Sequence, residues 1–352
     1  MKGFFRVVHY LLVLVLSALL IRIVYYGFSL LWSDQHPRRQ PQPYQTDLVD
    51  EPQKPSPQEI AASMNTLWDM WDEDHCRALM APSAIAFDCT RQHLQDVASQ
   101  YIGMMATGQH DRFENLAYTM VYMENNKTAT ILYGTPAFGM NIDANRSIYD
   151  TTQCKTFTEI IVTDPLHPYV IHTQMTLDNE GNVKLIDSLV TDKGDWAFNA
   201  TGYRYWNSQE NWDPIPEDKR ISREAIKAAG DAYADRCNDV TVHVPFGIPC
   251  ARLEGGAYTG RGNLSANTCN IGGLPEHVPM TNRKYVVDEV MGVVDIFMGF
   301  TGLDRTRPTE GTPDSHLFRI EEGNIRYIHT VSACFVDGCG MNGTGIPPGI
   351  GS

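Results

Sequence analysis

The chain repeats itself, and no other feature constrains its fold as strongly. Leu94, Val97, Ala98, Tyr101, Ile102 and Met105 stand at offsets 0, 3, 4, 7, 8 and 11, the spacing that gathers apolar side chains on one face of a helix. Ile226, Ala229, Gly230, Tyr233, Ala234 and Cys237 take the same offsets 132 residues later. Further along, Gly181-Asn182-Val183-Lys184-Leu185-Ile186-Asp187 reads as a turn feeding a strand of alternating residues. It returns as Gly323-Asn324-Ile325-Arg326-Tyr327-Ile328-His329, which predicts two tandem copies of one module. A chain of 352 residues has room for two domains of ordinary size, each with its own core.

Thr90 and Ser222 are placed to cap the two helices, since each hydroxyl can accept from a free amide of the first turn. An acidic turn between strand-like runs follows each helix, at Glu124-Asn125-Asn126 and at Glu254-Gly255-Gly256. Strands are expected at 157–162, 169–177 and 183–190 in the first copy, and at 285–297, 315–320 and 325–333 in the second. The expected class is α+β: two tandem cone-shaped modules, each a curved antiparallel sheet wrapped around a helix, behind an N-terminal transmembrane helix. The corresponding boundaries are an anchor at 1–32, a Pro-rich tether at 33–57, a first module at 58–211, a linker at 212–220 around Pro214 and Pro216, a second module at 221–337 and a Gly-rich tail at 338–352. Ile60, Met64, Leu67, Trp68 and Trp71 share helical spacing and are assigned to the first module.

Residues 7–32 are almost all apolar, broken by His9 and Arg22, and follow Lys2 and Arg6. That length crosses a bilayer once. The preferred reading is an uncleaved signal anchor, with a signal peptide cleaved near Gly27-Phe28-Ser29 as the alternative. Acceptor sequons at Asn126, Asn145, Asn199, Asn263 and Asn342 place the body in a lumen or outside the cell. The eight cysteines agree with such an oxidising compartment. Cys76, Cys89 and Cys154 fall in the first module and the other five in the second, so odd counts require one bridge between modules or two unpaired thiols. Cys76 with Cys89 and Cys250 with Cys269 are the local candidates. No Cys-x-x-Cys and no histidine pair at helix-ligand spacing is present, so no metal is expected. A formal charge of −14, with no basic cluster beyond Arg38-Arg39, argues against nucleic acid as a partner. The absence of Gly-x-Ser-x-Gly, phosphate-loop and dinucleotide fingerprints removes several hydrolase, kinase and oxidoreductase classes.

The run Tyr285-Val286-Val287-Asp288-Glu289-Val290-Met291-Gly292-Val293-Val294, followed by Leu317-Phe318-Arg319-Ile320-Glu321-Glu322-Gly323-Asn324-Ile325-Arg326, resembles the closing strands of the nuclear-transport-factor-2-like (SnoaL-like) superfamily. Together with Cys250-Ala251-Arg252-Leu253-Glu254-Gly255-Gly256, it is similar to an uncharacterised fungal family of secreted or lumenal proteins built from tandem domains of this kind. The likeness runs from residue 90 to residue 340, closer in the second copy. It implies a pocket inside each cone that, in the superfamily's enzymes, runs acid–base chemistry with His, Asp, Glu and Tyr and without metal or organic cofactor.

Residue by residue, His329 and Asp187 hold matching places on the last strand of each copy, where a histidine can act as general base and a carboxylate can orient it or take the proton. Asp288 shares a strand face with Val286 and Val290, an apolar setting that raises a carboxyl pKa, with an ion pair to Arg252 or Arg283 as the alternative. Tyr101 and Tyr233 share one slot on the repeated helix, each directed at its sheet. The expected catalytic set is His329, Asp288 and Tyr233, with Asp187 and Tyr101 lining the first module's pocket. His172 and His316 have no assigned partner. Two functions stay open. One is a membrane-anchored lumenal protein that binds a small apolar or polyketide-like ligand and acts as a cofactor-independent dehydratase, isomerase or cyclase; the other is a non-catalytic binding or scaffold protein with filled cones. An open cavity with convergent polar groups favours the first.

Overall fold

The computed structural model describes residues 87–270, 274–302, 309–335 and 339. The expected anchor and tether, Cys76 and Asn342 lie outside the described residues. Among those described, no helix is long and apolar enough to cross a membrane.

Helix α1 (Arg91–Thr107) opens at Thr90, whose hydroxyl accepts from the His93 amide at 3.2 Å, and stops at Gly108, which takes the left-handed conformation at φ 71°. Six strands follow: β1 (Leu116–Glu124), β2 (Lys127–Ala129), β3 (Ala144–Asp150), β4 (Lys155–Val162), β5 (Tyr169–Leu177) and β6 (Val183–Thr191). Helix α2 (Ala200–Asn207) comes next, and then the plan restarts. Ser222 caps α3 (Arg223–Arg236) through the Ala225 amide at 3.3 Å. The second set of strands is β7 (Phe246–Glu254), β8 (Ala257–Tyr258), β9 (Met280–Asp288), β10 (Val293–Phe300), β11 (Thr312–Glu321) and β12 (Asn324–Ser332).

The two sheets have one topology, β2-β1-β6-β5-β4-β3 and β8-β7-β12-β11-β10-β9. Their registers match as well: Met123 lies opposite Asp187 as Leu253 lies opposite His329. The fold is α+β in two tandem modules, and Asp187 and His329 hold equivalent places, as do Tyr101 and Tyr233. The sheets are mixed, which corrects the antiparallel expectation: β1 pairs with β6, and β7 with β12, in parallel. The crossover at 130–143 carries the chain from one sheet edge to the other, and three antiparallel reversals then return β6 alongside β1. The expected single strand at 285–297 is two, β9 and β10, split by a turn at Gly292. That glycine has φ 58°, and a Cβ there would sit 2.6 Å from the Ile320 carbonyl oxygen.

Each helix buries its apolar stripe on its own sheet. Leu94, Val97, Tyr101 and Met105 pack with Ile160, Ile171 and Ile186, while Ile226, Tyr233 and Ala234 pack with Val294, Phe318 and Ile328. The opposite faces of the sheets form a third core, in which Phe157, Ile161 and Leu189 of the first meet Val286, Phe297 and Val331 of the second, together with Tyr203 of α2. The break near Pro214 therefore separates elements while a shared core joins them.

A reciprocal pair of clamps fixes this packing. Arg91, the first residue of α1, donates from both terminal nitrogens to the two oxygens of Asp288 at 2.9 Å, and the Tyr149 amide donates to the same carboxylate at 2.9 Å. Arg223, the first residue of α3, donates to both oxygens of Asp150 at 2.7 and 2.5 Å, joined by the Val287 amide at 3.0 Å. Each last residue of an edge strand is thus held by the other module's helix start. Asp288 is occupied here rather than in a pocket, and its partner is neither Arg252 nor Arg283.

The disulfides are Cys89–Cys154, Cys250–Cys269 and Cys334–Cys339, with Cys237 a buried free thiol. Cys250–Cys269 matches the expectation. Cys76–Cys89 does not, because the start of α1 lies over the β3–β4 turn and brings Cys154 within 5.7 Å (Cα to Cα) of Cys89. Peptide mapping without reduction is expected to recover a Cys89–Cys154 link. Its removal by Cys154→Ser should cost about 4 kcal/mol of unfolding free energy, the loop-closure value for a bridge spanning 65 residues. A Cys76–Cys89 peptide would contradict this arrangement.

Candidate functional site

Two clusters of buried polar side chains stand out. The first lies between the sheets. His329 faces away from its own helix, beside Tyr327 and Val331, and donates from Nδ1 to Glu159 Oε1 (3.0 Å) and from Nε2 to Glu210 Oε2 (2.6 Å). Glu159 also receives the Tyr203 hydroxyl at 2.8 Å, the Asn207 amide at 2.6 Å and Arg146 at 2.8 Å. His172 meets Ser315 Oγ through Nδ1 at 2.7 Å and Tyr203 through Nε2 at 3.2 Å, and Ser315 reaches Asp295 at 2.8 Å. Gln174 donates to the other Asp295 oxygen at 2.6 Å.

The charges in this cluster follow from its surroundings. Burial works against ionisation of Glu159, yet Arg146 and His329 hold its carboxyl well below the usual range. Burial also opposes the charge on His329, but Glu210 and Glu159 prevail and raise it to about 8. His172 falls below the usual imidazole value, mainly through burial, so it is neutral. Asp295 is pushed up to about 8 by burial, against the lowering effect of the hydrogen bonds it accepts from Gln174 and Ser315. The cluster bolts the modules together, with Glu210 Oε1 its one buried oxygen lacking a hydrogen bond among the described residues.

The second cluster faces α3 inside the second module. Alternation on β11 turns Asp314, His316 and Phe318 to the helix; His316 lies 5.2 Å from the Tyr233 ring, centroid to centroid. Arg252 of β7 donates to the Tyr233 hydroxyl at 3.3 Å and lies 3.4 Å from Glu254. Asp314 and His316 approach to 3.1 Å, off the line of a hydrogen bond. Burial opposes the His316 charge, but the Asp314 carboxylate outweighs it and raises the pKa. Burial raises the Tyr233 phenol and pushes the nearby Cys237 thiol up to about 12, Asp314 adding to the latter. Among the described residues, Asp314 Oδ2, His316 Nδ1, Thr312 Oγ1 and Thr330 Oγ1 are buried without a hydrogen bond. Asp314 Oδ2 and His316 Nδ1 still face each other as an ion pair, so the two threonine hydroxyls are the orphans here, a costly state that is uncommon in native proteins.

The same positions in the first module carry different chemistry. Register equates Thr173 with His316, Ser188 with Thr330, Ile171 with Asp314, Tyr122 with Arg252 and Glu124 with Glu254. There Tyr101 bonds Thr173 at 2.8 Å, Thr173 bonds Ser188 at 2.9 Å, and Tyr122 donates to Glu124. Each of those hydroxyls has a partner, and Thr156 Oγ1 of β4 is a buried first-module oxygen without one.

Residues 219–332 match a family described as a domain of unknown function (DUF8021). The matched span begins just before α3 and ends with β12, so it covers the second module and leaves the first outside. No curated protein matches the chain.

Of the expected site residues, only Tyr233 lies in the second module's interior. His329 and Asp288 face the other module, and Asp187 lies on the equivalent outward face, paired with Lys284 at 2.6 Å. The residues that do surround Tyr233 are His316, Asp314, Arg252 and Glu254. The signal for them was the Asp314-x-His316 alternation on one strand face, readable once β11 was aligned with β5.

The inter-module bolt has a pH signature. Both Asp295 and His329 have folded pKa values raised to about 8, from 3.8 and 6.5, so each contributes stability that is complete below its unfolded value and lost as pH rises through about 8. Asp295→Asn removes the ionisable carboxyl while keeping its size and one accepting oxygen. Chemical denaturation should therefore find the variant equal to wild type near pH 4 and progressively more stable up to pH 8, by several kcal/mol. A pH-independent difference would contradict the protonated Asp295.

Proposed function

We propose that the protein is a lumenal or extracellular small-molecule-binding protein in which the second module carries the ligand chemistry and the first serves as its scaffold. The carrying observation is the contrast at equivalent positions: Thr173, Ser188 and Ile171 in one copy, all neutral, against His316, Thr330 and Asp314 in the other, with buried polar atoms left unbonded. A helix laid over a six-stranded mixed sheet supports assignment to the nuclear-transport-factor-2-like superfamily, with the interior of a cone as the ligand chamber. His316 with Asp314 supplies a base whose conjugate acid is stabilised, and the Tyr233 hydroxyl, polarised by Arg252, supplies a donor across from it. That pairing suits proton transfer at an enolisable carbonyl, as in an isomerisation, dehydration or cyclisation.

The rival scaffold reading applies to the first module, whose helix-facing polar groups Tyr101, Thr173 and Ser188 are satisfied internally. The address is part of the proposal: an N-terminal signal anchor with the body on the lumenal side. Three disulfides support it, as do the exposed positions of Asn126, Asn145, Asn199 and Asn263.

The chemistry is tested by incubating full-length protein in D2O with a panel of enolisable cyclic ketones and reading α-deuteration by mass spectrometry. Exchange above background is expected for at least one ketone, with His316→Ala and Tyr233→Phe slower by about 10²- to 10⁴-fold. Background rates throughout, or equal rates in the variants, would refute the acid–base role. Enzymatic deglycosylation of protein from a secretory host should lower its apparent mass, and an unchanged mass would count against the lumenal address.

A further inference from the structure

One cross-strand pair of the second module departs from its counterpart in the first. Ile171 of β5 lies opposite Val190 of β6, an aliphatic pair in the core beneath α1. The same slots on β11 and β12 hold Asp314 opposite Ser332. Both are buried, at 1% and 2% exposure. The frame accepts two aliphatic side chains at this place, so packing does not call for polar ones, and a buried carboxylate is costly unless it is bonded.

Ser332 supplies such a bond. Its hydroxyl donates to Asp314 Oδ1 at 2.7 Å, while Oδ2 faces His316 Nδ1 at 3.1 Å. An aspartate carboxylate turns easily about its last torsion, whose wells are broad. With Oδ1 held from β12, that torsion is fixed and Oδ2 is aimed at the imidazole. The serine is itself pinned at the end of its strand: the Trp196 amide donates to its carbonyl at 3.3 Å, the Ala333 amide to the Pro313 carbonyl at 3.0 Å, and the Cys334 amide to Asp195 Oδ1 at 2.5 Å. Trp196 and Asp195 belong to the loop that follows β6, so the first module steadies the serine of the second.

We propose that Ser332 is the positioning residue of the second module's acid–base pair: by holding Asp314 Oδ1 it keeps Oδ2 on His316 and so sets how firmly the imidazole retains its proton. This rests on the reading of His316 as the base and adds the group that orients its carboxylate. The other titratable and charged groups around the pair are Tyr233 and Cys237 from α3 and its end, and Arg252 and Glu254 from β7. Glu254 acts on His316 in the same sense as Asp314, and Arg252 acts against it. Replacing Ser332 removes none of them.

The test is the titration of His316 by NMR in full-length protein carrying 13C-labelled histidine, with its signal assigned by loss in His316→Ala. Ser332→Ala is expected to lower the His316 midpoint by about half a pH unit or more, since the released carboxylate no longer faces the imidazolium. Asp314→Asn should lower it too, and on that background Ser332→Ala should add nothing, as for a residue that acts through Asp314. Circular dichroism confirms that each variant is folded. In the deuteration assay Ser332→Ala should reduce kcat by about threefold or more with KM within about twofold of wild type. The proposal is overturned by an unchanged His316 midpoint in Ser332→Ala, or by an equal drop with and without the Asp314 carboxylate. Absence of exchange in the wild type would remove the base reading, while the midpoints would still decide whether Ser332 orients Asp314.

Discussion

Two arginine–aspartate clamps, Arg91 on Asp288 and Arg223 on Asp150, hold the rest of the molecule in place. Both carboxylates are buried, and each takes a bidentate guanidinium and backbone amides. Breaking one would leave a charge in a low-dielectric setting, so the clamps specify one relative placement of the modules. The placement presses the helix-free faces of the sheets together, and a face that would meet water in a lone module becomes core. The polar groups on that face must then bond one another, as Glu159 and Glu210 do with His329, and as His172 and Asp295 do with Ser315.

Strand order and register coincide in the two modules, yet equivalent sites carry different residues. At the seam, α2 packs against β4, β5, β7 and β8, and Tyr203 and Asn207 bond Glu159. Inside the modules, the first pairs Tyr101 with Thr173, Thr173 with Ser188 and Tyr122 with Glu124, whereas the second keeps Asp314, His316, Arg252 and Glu254 around Tyr233. The residues that match a known family are those of the second module, the copy with the ionisable interior.

Much of the architecture was legible in the sequence, and the failures have physical causes. Helix starts, the repeat and the pairing of Asp187 with His329 followed from spacing alone. Alternation also grouped Tyr327, His329 and Val331 on one face of β12, but it could not say which face meets the helix. Both faces are buried, so neither Tyr327-His329-Val331 nor Ile328-Thr330-Ser332 reads as the solvent side. Strand β3 was missed because Asn145, Arg146 and Ser147 make it polar at its exposed edge. The direction of β6 relative to β1 depends on a crossover that carries no hydrophobic pattern. The clamp arginines carry a sequence signal of their own: Arg91 and Arg223 are separated by the same 132 residues as the helices they begin.

The central claim is that the two modules are equivalent halves locked by equivalent clamps. Equilibrium unfolding of Asp150→Ala and Asp288→Ala, each against wild type, tests it most directly. The account predicts one cooperative transition in the wild type and similar losses in the two variants, about 3–5 kcal/mol each, as for removal of one partner of a buried ion pair. Losses below about 1 kcal/mol in either variant, or two separate transitions in the wild type, would contradict it.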